Sequence, residues 1–237
     1  MTLLRSSLFA LVQVLLTPLY ALVVLALAPL PRRTRWYLIS GWARAMVHLA
    51  RWLCGIRWQV DGRDQLPAEP AVILSKHQSA WETLAFQSIF PPQVYLLKRE
   101  LLWIPFFGWG LALTSPIAID RSKGRAALKT LAHTGRERLA QGFWIVIYPE
   151  GTRVAPGARR KYQLGGAWLA VQAGVPVVPV AHNAGLLWPR NAFRKRAGLI
   201  TVRIGPAIAT AGRSAGDVNA EAEAWIEAQQ KTLCQGS

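Results

Sequence analysis

Short apolar runs alternate with longer mixed segments along this chain, from about residue 60 onward. Runs of the length of buried strands lie at residues 71–75, 93–97, 117–119, 143–147, 175–180 and 199–204. The segments at 81–90, 122–141, 163–173 and 217–232 repeat apolar side chains at helical spacing. Because strands and helices alternate, the pattern predicts an α/β fold with a mixed, largely parallel sheet flanked by helices.

The beginning of the chain has another pattern, because residues 8–30 are almost wholly apolar. At about 1.5 Å rise per residue, this segment is long enough to cross a hydrocarbon core of roughly 30 Å. Gln13, Thr17 and Pro18 interrupt it, which leaves open whether the helix spans the bilayer or lies in it. Basic residues are more frequent after the segment than before it, so the remainder of the chain is predicted to stay on the cytoplasmic side. A cleaved signal peptide is the alternative, but Pro29 would come directly after the cut and the run is long for such a peptide.

Residues 35–54 predict a second, amphipathic helix that lies in the lipid headgroup layer. Its polar face carries Ser40, Arg44, His48 and Arg51, and its apolar face carries Leu38, Trp42, Ala45, Leu49 and Leu53. Tryptophans at 36, 42, 52 and 58 favour this interfacial position over the alternative, in which both helices pack on the globular domain. We therefore predict an N-terminal two-helix membrane-binding element at residues 1–57 and an α/β domain at residues 58–237.

Composition narrows the class of partner. The 237 residues carry a formal net charge of +16, with 52% hydrophobic residues and 11 tryptophans, which together predict an anionic partner at an apolar interface. A phospholipid bilayer meets both conditions, whereas nucleic acid meets only the first and its usual binding motifs are missing. Cys54 and Cys234 are predicted to be reduced thiols. The histidines lack the spacing of zinc ligands, so no metal site is predicted.

Candidate chemistry begins directly after the run at residues 71–75, where His77 precedes Glu82 by five residues. Residues five apart in a regular helix do not meet, so His77 is predicted to precede the helix. Ser79 and Glu82 form a capping-box pattern that would start the helix at Ser79. Glu82 can then fold back to accept an imidazole N–H and leave the other nitrogen basic. The alternative is that Glu82 only caps the helix.

A second cluster, Y-P-E-G-T-R at residues 148–153, comes after the run at 143–147. Pro149 predicts the end of a strand, and Gly151 permits a tight turn that directs Thr152 and Arg153 outward. The planar guanidinium of Arg153 can form paired hydrogen bonds to a phosphate. Glu150 would accept a hydrogen bond from a hydroxyl or brace the arginine. A solvated salt bridge is the alternative.

Other segments add candidate parts of a site. Arg121, after the strand at 117–119, is a second anion-binding candidate, and Lys98 comes after the strand at 93–97. The apolar residues 103–109 predict a membrane-facing loop or the wall of an acyl tunnel, with core packing as the default alternative. Prolines three apart at residues 176 and 179 are typical of an edge strand or an irregular wall.

Taken together, four ordered blocks resemble the glycerolipid acyltransferases: the His77–Glu82 pair, residues 117–121, residues 148–153 and residues 175–180. The resemblance implies that His77 is a general base and Glu82 its partner. It also implies that the acceptor's glycerol phosphate is bound by Arg121, Glu150, Gly151 and Arg153, to which we add Lys98 and Thr152 as substrate-binding candidates. The sequence departs from the family pattern where Glu82 replaces an aspartate, and at Tyr148, Val154 and Ala118.

The implied reaction moves an acyl chain from acyl-CoA or acyl carrier protein to the secondary hydroxyl of lysophosphatidic acid. It makes phosphatidic acid for phospholipid synthesis at the cytoplasmic face of the inner membrane, with no cofactor. One rival is acyl transfer to another lysolipid. A second is a hydrolase using the G-x-S-x-G pattern at residues 212–216, although Ser214 lies in a polar loop with no later histidine. The third is a non-catalytic protein that binds anionic lipid.

Overall fold

The computed structural model of the protein describes residues 1–235, apart from the side chains of Arg121 and Gln235. Within these residues the strands form one seven-stranded sheet with the order β1-β7-β6-β2-β5-β3-β4. The strands are β1 (Ile56–Asp61), β2 (Val72–Ser75), β3 (Gln93–Lys98), β4 (Ile117–Ile119), β5 (Trp144–Ile147), β6 (Val177–His182) and β7 (Gly198–Ile204). The helices are α1 (Thr2–Ala26), α2 (Arg32–Cys54), α3 (Trp81–Ile89), α4 (Phe107–Leu113), α5 (Arg125–Ala140), α6 (Gly165–Ala173), α7 (Ala184–Leu187) and α8 (Ala215–Gln235).

The sheet is parallel except where β6 and β7 pair in opposite directions. Every residue of β2, β5 and β6 is buried, because helices cover both faces. Strands covered in this way have continuous apolar sequences instead of alternating ones. The predicted mixed, largely parallel sheet flanked by helices is therefore confirmed.

The edge position expected for the proline-containing strand is wrong, since β6 lies between β7 and β2. The antiparallel ladder with β7 covers only Val180–His182, and the carbonyl of Pro179 accepts a hydrogen bond from Gly205 N, just beyond β7. In a β-strand the N and O atoms of one residue face the same neighbouring strand, so the nitrogen of Pro179 also faces Gly205. Its missing N–H therefore removes only a hydrogen bond at the end of this ladder.

Strand β1 is absent from the sequence prediction and crosses the proposed boundary at residues 57–58. It pairs with β7 over its whole length, from Ile56 with Gly198 to Asp61 with Arg203. Its residues alternate between buried or half-buried and exposed positions. The alternation I-R-W-Q-V-D is typical of an edge strand with one solvated face, and it has no continuous apolar run.

Helix α2 packs on the globular domain, which was the alternative to the predicted position in the lipid headgroup layer, and the packed face differs from the predicted apolar face. The buried side chains include Ile39, Ala43, Met46, Val47 and Ala50, whereas the predicted apolar face at Leu38 and Ala45 is exposed. Trp36 is also buried and donates from Nε1 to the carbonyl of Gln93 at 2.7 Å. The sheet and α3 supply the apolar surface that selected this face, which the helix sequence alone does not specify.

Helix α1 is mostly exposed, although Phe9, Ala21 and Val24 pack against the rest of the protein. By length and composition it is one candidate membrane span within the described residues. Its exposed leucines include Leu11, which is 55% exposed. An outward apolar surface of this size on a long helix fits contact with lipid.

The segment at residues 103–109 does not pack in the core. Trp103 is 71% exposed, and Phe106, Phe107 and Trp109 are each more than a third exposed. Phe107 begins α4, which packs against α1. The default expectation of core burial is thus wrong for this segment, whose aromatic side chains extend the exposed apolar surface of α1.

Candidate active site

Parallel pairing brings the carboxyl ends of β2, β5, β3 and β4 to one edge of the sheet in that order. The chain leaves β2 toward His77 and leaves β5 toward Tyr148, so the two motifs that begin at these residues become neighbours. Ligands of open α/β sheets gather at such an edge.

The imidazole of His77 lies 2.9 Å from Glu82, between Nδ1 and Oε1. The same carboxylate oxygen accepts the backbone N–H groups of Gln78 and Ser79 at 2.9 and 2.8 Å. Helix α3 begins at Trp81 instead of Ser79, and the hydroxyl of Ser79 accepts from Trp81 N. The fold-back of Glu82 predicted from the sequence is confirmed, while the predicted helix start is two residues early.

Glu82 is fully buried, and its electrostatic surroundings keep it charged. Burial alone raises the pKa of this carboxyl, but nearby His182 and the hydrogen bonds from His77 and Ser79 outweigh burial and lower the pKa below its usual value. An ionised Glu82 accepts a hydrogen bond from Nδ1–H of His77. The basic lone pair of the imidazole is then on Nε2.

Tyr148 stacks on the imidazole, with ring centroids 3.9 Å apart and an interplanar angle of 12°. Its hydroxyl lies 3.3 Å from that of Thr83, whose carbonyl accepts a hydrogen bond from Tyr95. Burial raises the pKa of Tyr148 well above its usual value, so the phenol stays neutral. Tyr148, one of the departures from the family pattern, therefore adds a polar contact to α3 on the side of the ring away from the solvent.

The loops after β2 and β5 are held together through the backbone of His77. His77 N donates to Oε2 of Glu150 at 2.8 Å, and Val154 N donates to the carbonyl of His77 at 2.7 Å. Glu150 is buried and forms an ion pair with Lys76 at 2.7 Å. Burial raises the pKa of this carboxyl above its usual value, although Lys76 acts in the opposite direction.

The sequence suggested that Glu150 accepts a hydrogen bond from a substrate hydroxyl or braces Arg153. Its contacts in the structure differ from both roles. The carboxylate instead holds the loop after β2 in place, because Oε1 is paired with Lys76 and Oε2 accepts a hydrogen bond from His77 N. No local pattern pairs Glu150 with Lys76, because the two residues lie far apart along the chain.

The turn after Glu150 has the predicted geometry, since Gly151 has a φ of +71°. That value is readily adopted only by glycine. Thr152 and Arg153 come next, at half-buried positions. Among the described residues no acidic side chain pairs with Arg153, which excludes the salt-bridge alternative there. Arg153 is instead among the residues that line an apolar cavity between α1, α2, α3 and α4.

Lys98 and Arg121 reach the same sheet edge farther from the histidine. Lys98 ends β3 and is exposed, and it is not among the described residues that line the apolar cavity beside Arg153. Arg121 comes after β4, but its side chain lies outside the described part of the structure. Asp120 accepts hydrogen bonds from the N–H and hydroxyl of Ser122, which lower the pKa of this exposed carboxyl.

An apolar cavity of about 330 Å³ opens beside the motif residues and is lined by α1, α2, α3 and α4. Ala80, Thr83, Leu84 and Gln87 form one stripe of α3 along its wall, and Arg153 lies at its border. The volume lies within the range of ligand sites. A long apolar chain can therefore lie between the helices with its polar end at Arg153, on the turn that comes after Tyr148, whose ring stacks on His77.

Three further residues of the site escaped the sequence analysis. Lys76 is 1% exposed and makes the ion pair described above. The buried His182 has Nε2 2.9 Å from the carbonyl of Lys76 and accepts from Ala184 N on Nδ1, and burial lowers its pKa. Glu227 of α8 contacts Lys76 at 2.8 Å. Only Lys76 had a sequence signal, its position next to His77.

Ser214 has a structural position that argues against a nucleophile. Its hydroxyl accepts from Asp217 N and lies 2.7 Å from the Asp217 carboxylate, so it caps the start of α8. A nucleophile turn would come directly after a buried strand instead. Among the described residues there is also no group of three or more His, Cys, Asp or Glu side chains suited to a metal ion.

Comparisons with known proteins agree with this geometry. The sequence model of the family described as Acyltransferase matches residues 57–183. A protein of Pseudomonas aeruginosa named 1-acyl-sn-glycerol-3-phosphate acyltransferase is 49% identical over 201 residues, covering 83% of this chain and 78% of that protein. The human 1-acyl-sn-glycerol-3-phosphate acyltransferase beta is 33% identical, covering 82% of this chain and 70% of its own.

The fold is also similar to a crystal structure of the 1-acyl-sn-glycerophosphate (LPA) acyltransferase from Thermotoga maritima. The TM-score is 0.79 at 20% identity, with 98% of this chain and 95% of that chain covered. At this identity the similarity concerns the fold, including the N-terminal helices that precede the sheet.

Proposed function

Since the chain belongs to the acyltransferase family, we propose that it transfers an acyl chain from a thioester to the sn-2 hydroxyl of lysophosphatidic acid. The product is phosphatidic acid, a precursor in phospholipid synthesis. The names of the bacterial and human relatives support this substrate. The single structural observation that carries the proposal is the 2.9 Å contact between His77 Nδ1 and Glu82, beside an apolar cavity bordered by Arg153.

His77 acts as the general base. As the acceptor oxygen attacks the thioester carbonyl, Nε2 removes the hydroxyl proton, and the ionised Glu82 stabilises the resulting imidazolium. The tetrahedral intermediate then breaks its C–S bond, and the proton held by His77 passes to the leaving thiolate. The products are an ester and a free thiol, and no acyl-enzyme is needed.

Arg153 binds the phosphate of the acceptor. A guanidinium forms paired hydrogen bonds to phosphate oxygens, and this one has no described carboxylate partner that would compete. Holding the phosphate orients the hydroxyl toward His77, and such positioning is worth several kcal/mol of barrier lowering. Gly151 and Thr152 shape the turn that presents Arg153, and Lys98 and Arg121 extend the positive charge along the sheet edge.

The cavity between α1, α2, α3 and α4 takes the acyl chain, because its lining is largely apolar and includes Arg153 of the second motif. The donor is acyl-CoA or acyl carrier protein, and no cofactor takes part. The exposed apolar surfaces of α1 and α4 support a position at a membrane. We assign the protein to the cytoplasmic face of the inner membrane, because the excess of basic residues after α1 favours a cytoplasmic α/β domain.

The test is a transfer assay with purified protein, lysophosphatidic acid and acyl-CoA. We expect wild-type enzyme to form phosphatidic acid and His77→Ala to lose at least about 10²-fold in kcat. Equal rates for the two proteins would refute the role of His77. Activity with other lysolipids but not with lysophosphatidic acid would instead refute the acceptor.

A further inference from the structure

His77 is flanked on both sides by residues that the C-terminal helix α8 holds. Lys76 Nζ lies 2.8 Å from Glu227 Oε1, and Gln78 Nε2 donates to Gln230 Oε1 at 2.7 Å. Glu227 and Gln230 are one helical turn apart, so they face the same side of α8. This helix lies outside the segment that matches the acyltransferase family.

We propose that Glu227 and Gln230 are positioning residues, which hold the backbone around His77 in its reactive orientation. The proposal rests on the proposed function, because it concerns the base of that reaction. Both side chains are buried and contact Lys76 and Gln78, so they act through the neighbours of His77.

The contact on the Lys76 side is a buried charge cluster. Lys76 is 1% exposed and lies between two carboxylates, Glu150 at 2.7 Å and Glu227 at 2.8 Å. The Tyr162 hydroxyl donates to Glu227 at 3.0 Å, and Arg159 Nε lies 3.4 Å from its other oxygen. Buried charges of this kind keep a narrow set of positions, because separating them leaves a charge without compensation.

The contact on the Gln78 side is a buried amide chain. Gln230 accepts from Gln78 and donates through Nε2 to the carbonyl of His182 at 2.9 Å. His182 in turn has Nε2 2.9 Å from the carbonyl of Lys76. Lys76 and Gln78 are therefore fixed to the same helix, Lys76 through its ammonium group and Gln78 through its side-chain amide, which restricts rotation of the His77 backbone between them.

The first test is Glu227→Gln in the lysophosphatidic acid transfer assay. The variant keeps Lys76 paired with Glu150, so it is expected to fold. We expect kcat, normalised to the folded fraction at the assay temperature, to fall about tenfold or more. The KM values for lysophosphatidic acid and acyl-CoA are expected to stay within about twofold. Glu221→Gln is the matched control, because it removes the same charge from an exposed salt bridge of α8 to Arg213.

A second variant, Gln230→Met, removes the amide contacts without changing charge, and it tests the proposal if Glu227→Gln does not fold. In the double variant we expect a loss smaller than the product of the single losses, because both act on the same histidine. Normalised kcat within about twofold of wild type in both single variants would overturn the proposal. A parallel rise in both KM values with unchanged kcat would also overturn it. Wild type and His77→Ala, measured alongside, separate the two ideas: a wild-type enzyme that forms no phosphatidic acid refutes the proposed function, and a fully active His77→Ala refutes the role of His77 as the base.

Discussion

Replacing Glu82 with glutamine tests how much the buried carboxylate contributes to catalysis. The amide oxygen of Glu82→Gln still accepts hydrogen bonds from His77 Nδ1 and from the backbone N–H groups of Gln78 and Ser79. What the variant loses is the negative charge, which attracts the imidazolium that forms in the transition state. The expected effect is therefore on turnover more than on folding.

The magnitude is set by the 2.9 Å contact between Nδ1 and Oε1. With the charge centres roughly 4 Å apart and an effective dielectric constant of about 20, the attraction is about 4 kcal/mol. Losing it slows the reaction about 10³-fold. The three weakened hydrogen bonds are offset by relief of a buried charge, so we expect a stability loss of about 1 kcal/mol, or about 2–4 °C in Tm.

The assay is kcat at saturating lysophosphatidic acid and acyl-CoA, with Tm measured on the same preparations. A loss in kcat of less than about tenfold, with Tm near that of wild type, would refute the reasoning, since the charge would then contribute little. Glu82→Gln also changes the response to acid. The folded-state pKa of Glu82 lies below its usual value of 4.5, so its contribution to stability is present above pH 4.5 and is lost as pH falls toward the folded value. The Tm difference between the two proteins is therefore expected to shrink below pH 4.5.

Two further predictions concern the phosphate site and the packing of α6 against β2. Arg153→Ala is expected to raise the KM for lysophosphatidic acid more than tenfold in steady-state kinetics, and to change the KM for acyl-CoA only about twofold. Comparable changes in the two KM values would contradict a role in binding phosphate. Gly166→Ala is expected to destabilise the protein by about 1–3 kcal/mol in thermal or denaturant unfolding, because the added Cβ would lie 2.5 Å from Leu74 Cδ2. Gly165→Ala is the control, with its nearest contact at 3.6 Å, and equal effects of the two changes would contradict a packing origin.

The central strands could be predicted from the sequence because burial on both faces leaves an unbroken apolar run. Strands β2, β3, β4 and β5 start and end within about a residue of the predicted positions. Strand β1 was missed since its exposed face interrupts the run with Arg57 and Gln59. The place of β6 inside the sheet was missed because the effect of Pro179 depends on where β7 ends, which is a property of the pairing and not of the strand.

The pairing of His77 with Glu82 could also be predicted, since both residues lie in one short segment whose turn geometry is local. Its meeting with Arg153 could be anticipated only from the rule that parallel strands share an edge. The exposed aromatic residues of α4 and the buried face of α2 depended on neighbours that no local pattern identifies.

The sequence by itself determined the strands of the central sheet, the apolar first helix and the local geometry of the histidine motif. These depend on periodicity and on contacts between residues a few positions apart. Only the tertiary structure decided that Glu150 supports Lys76 and that Glu227 lies against the same lysine from a helix 151 positions later. Buried charges choose their partners by distance in the folded chain, and that distance is fixed by packing that the order of residues does not state.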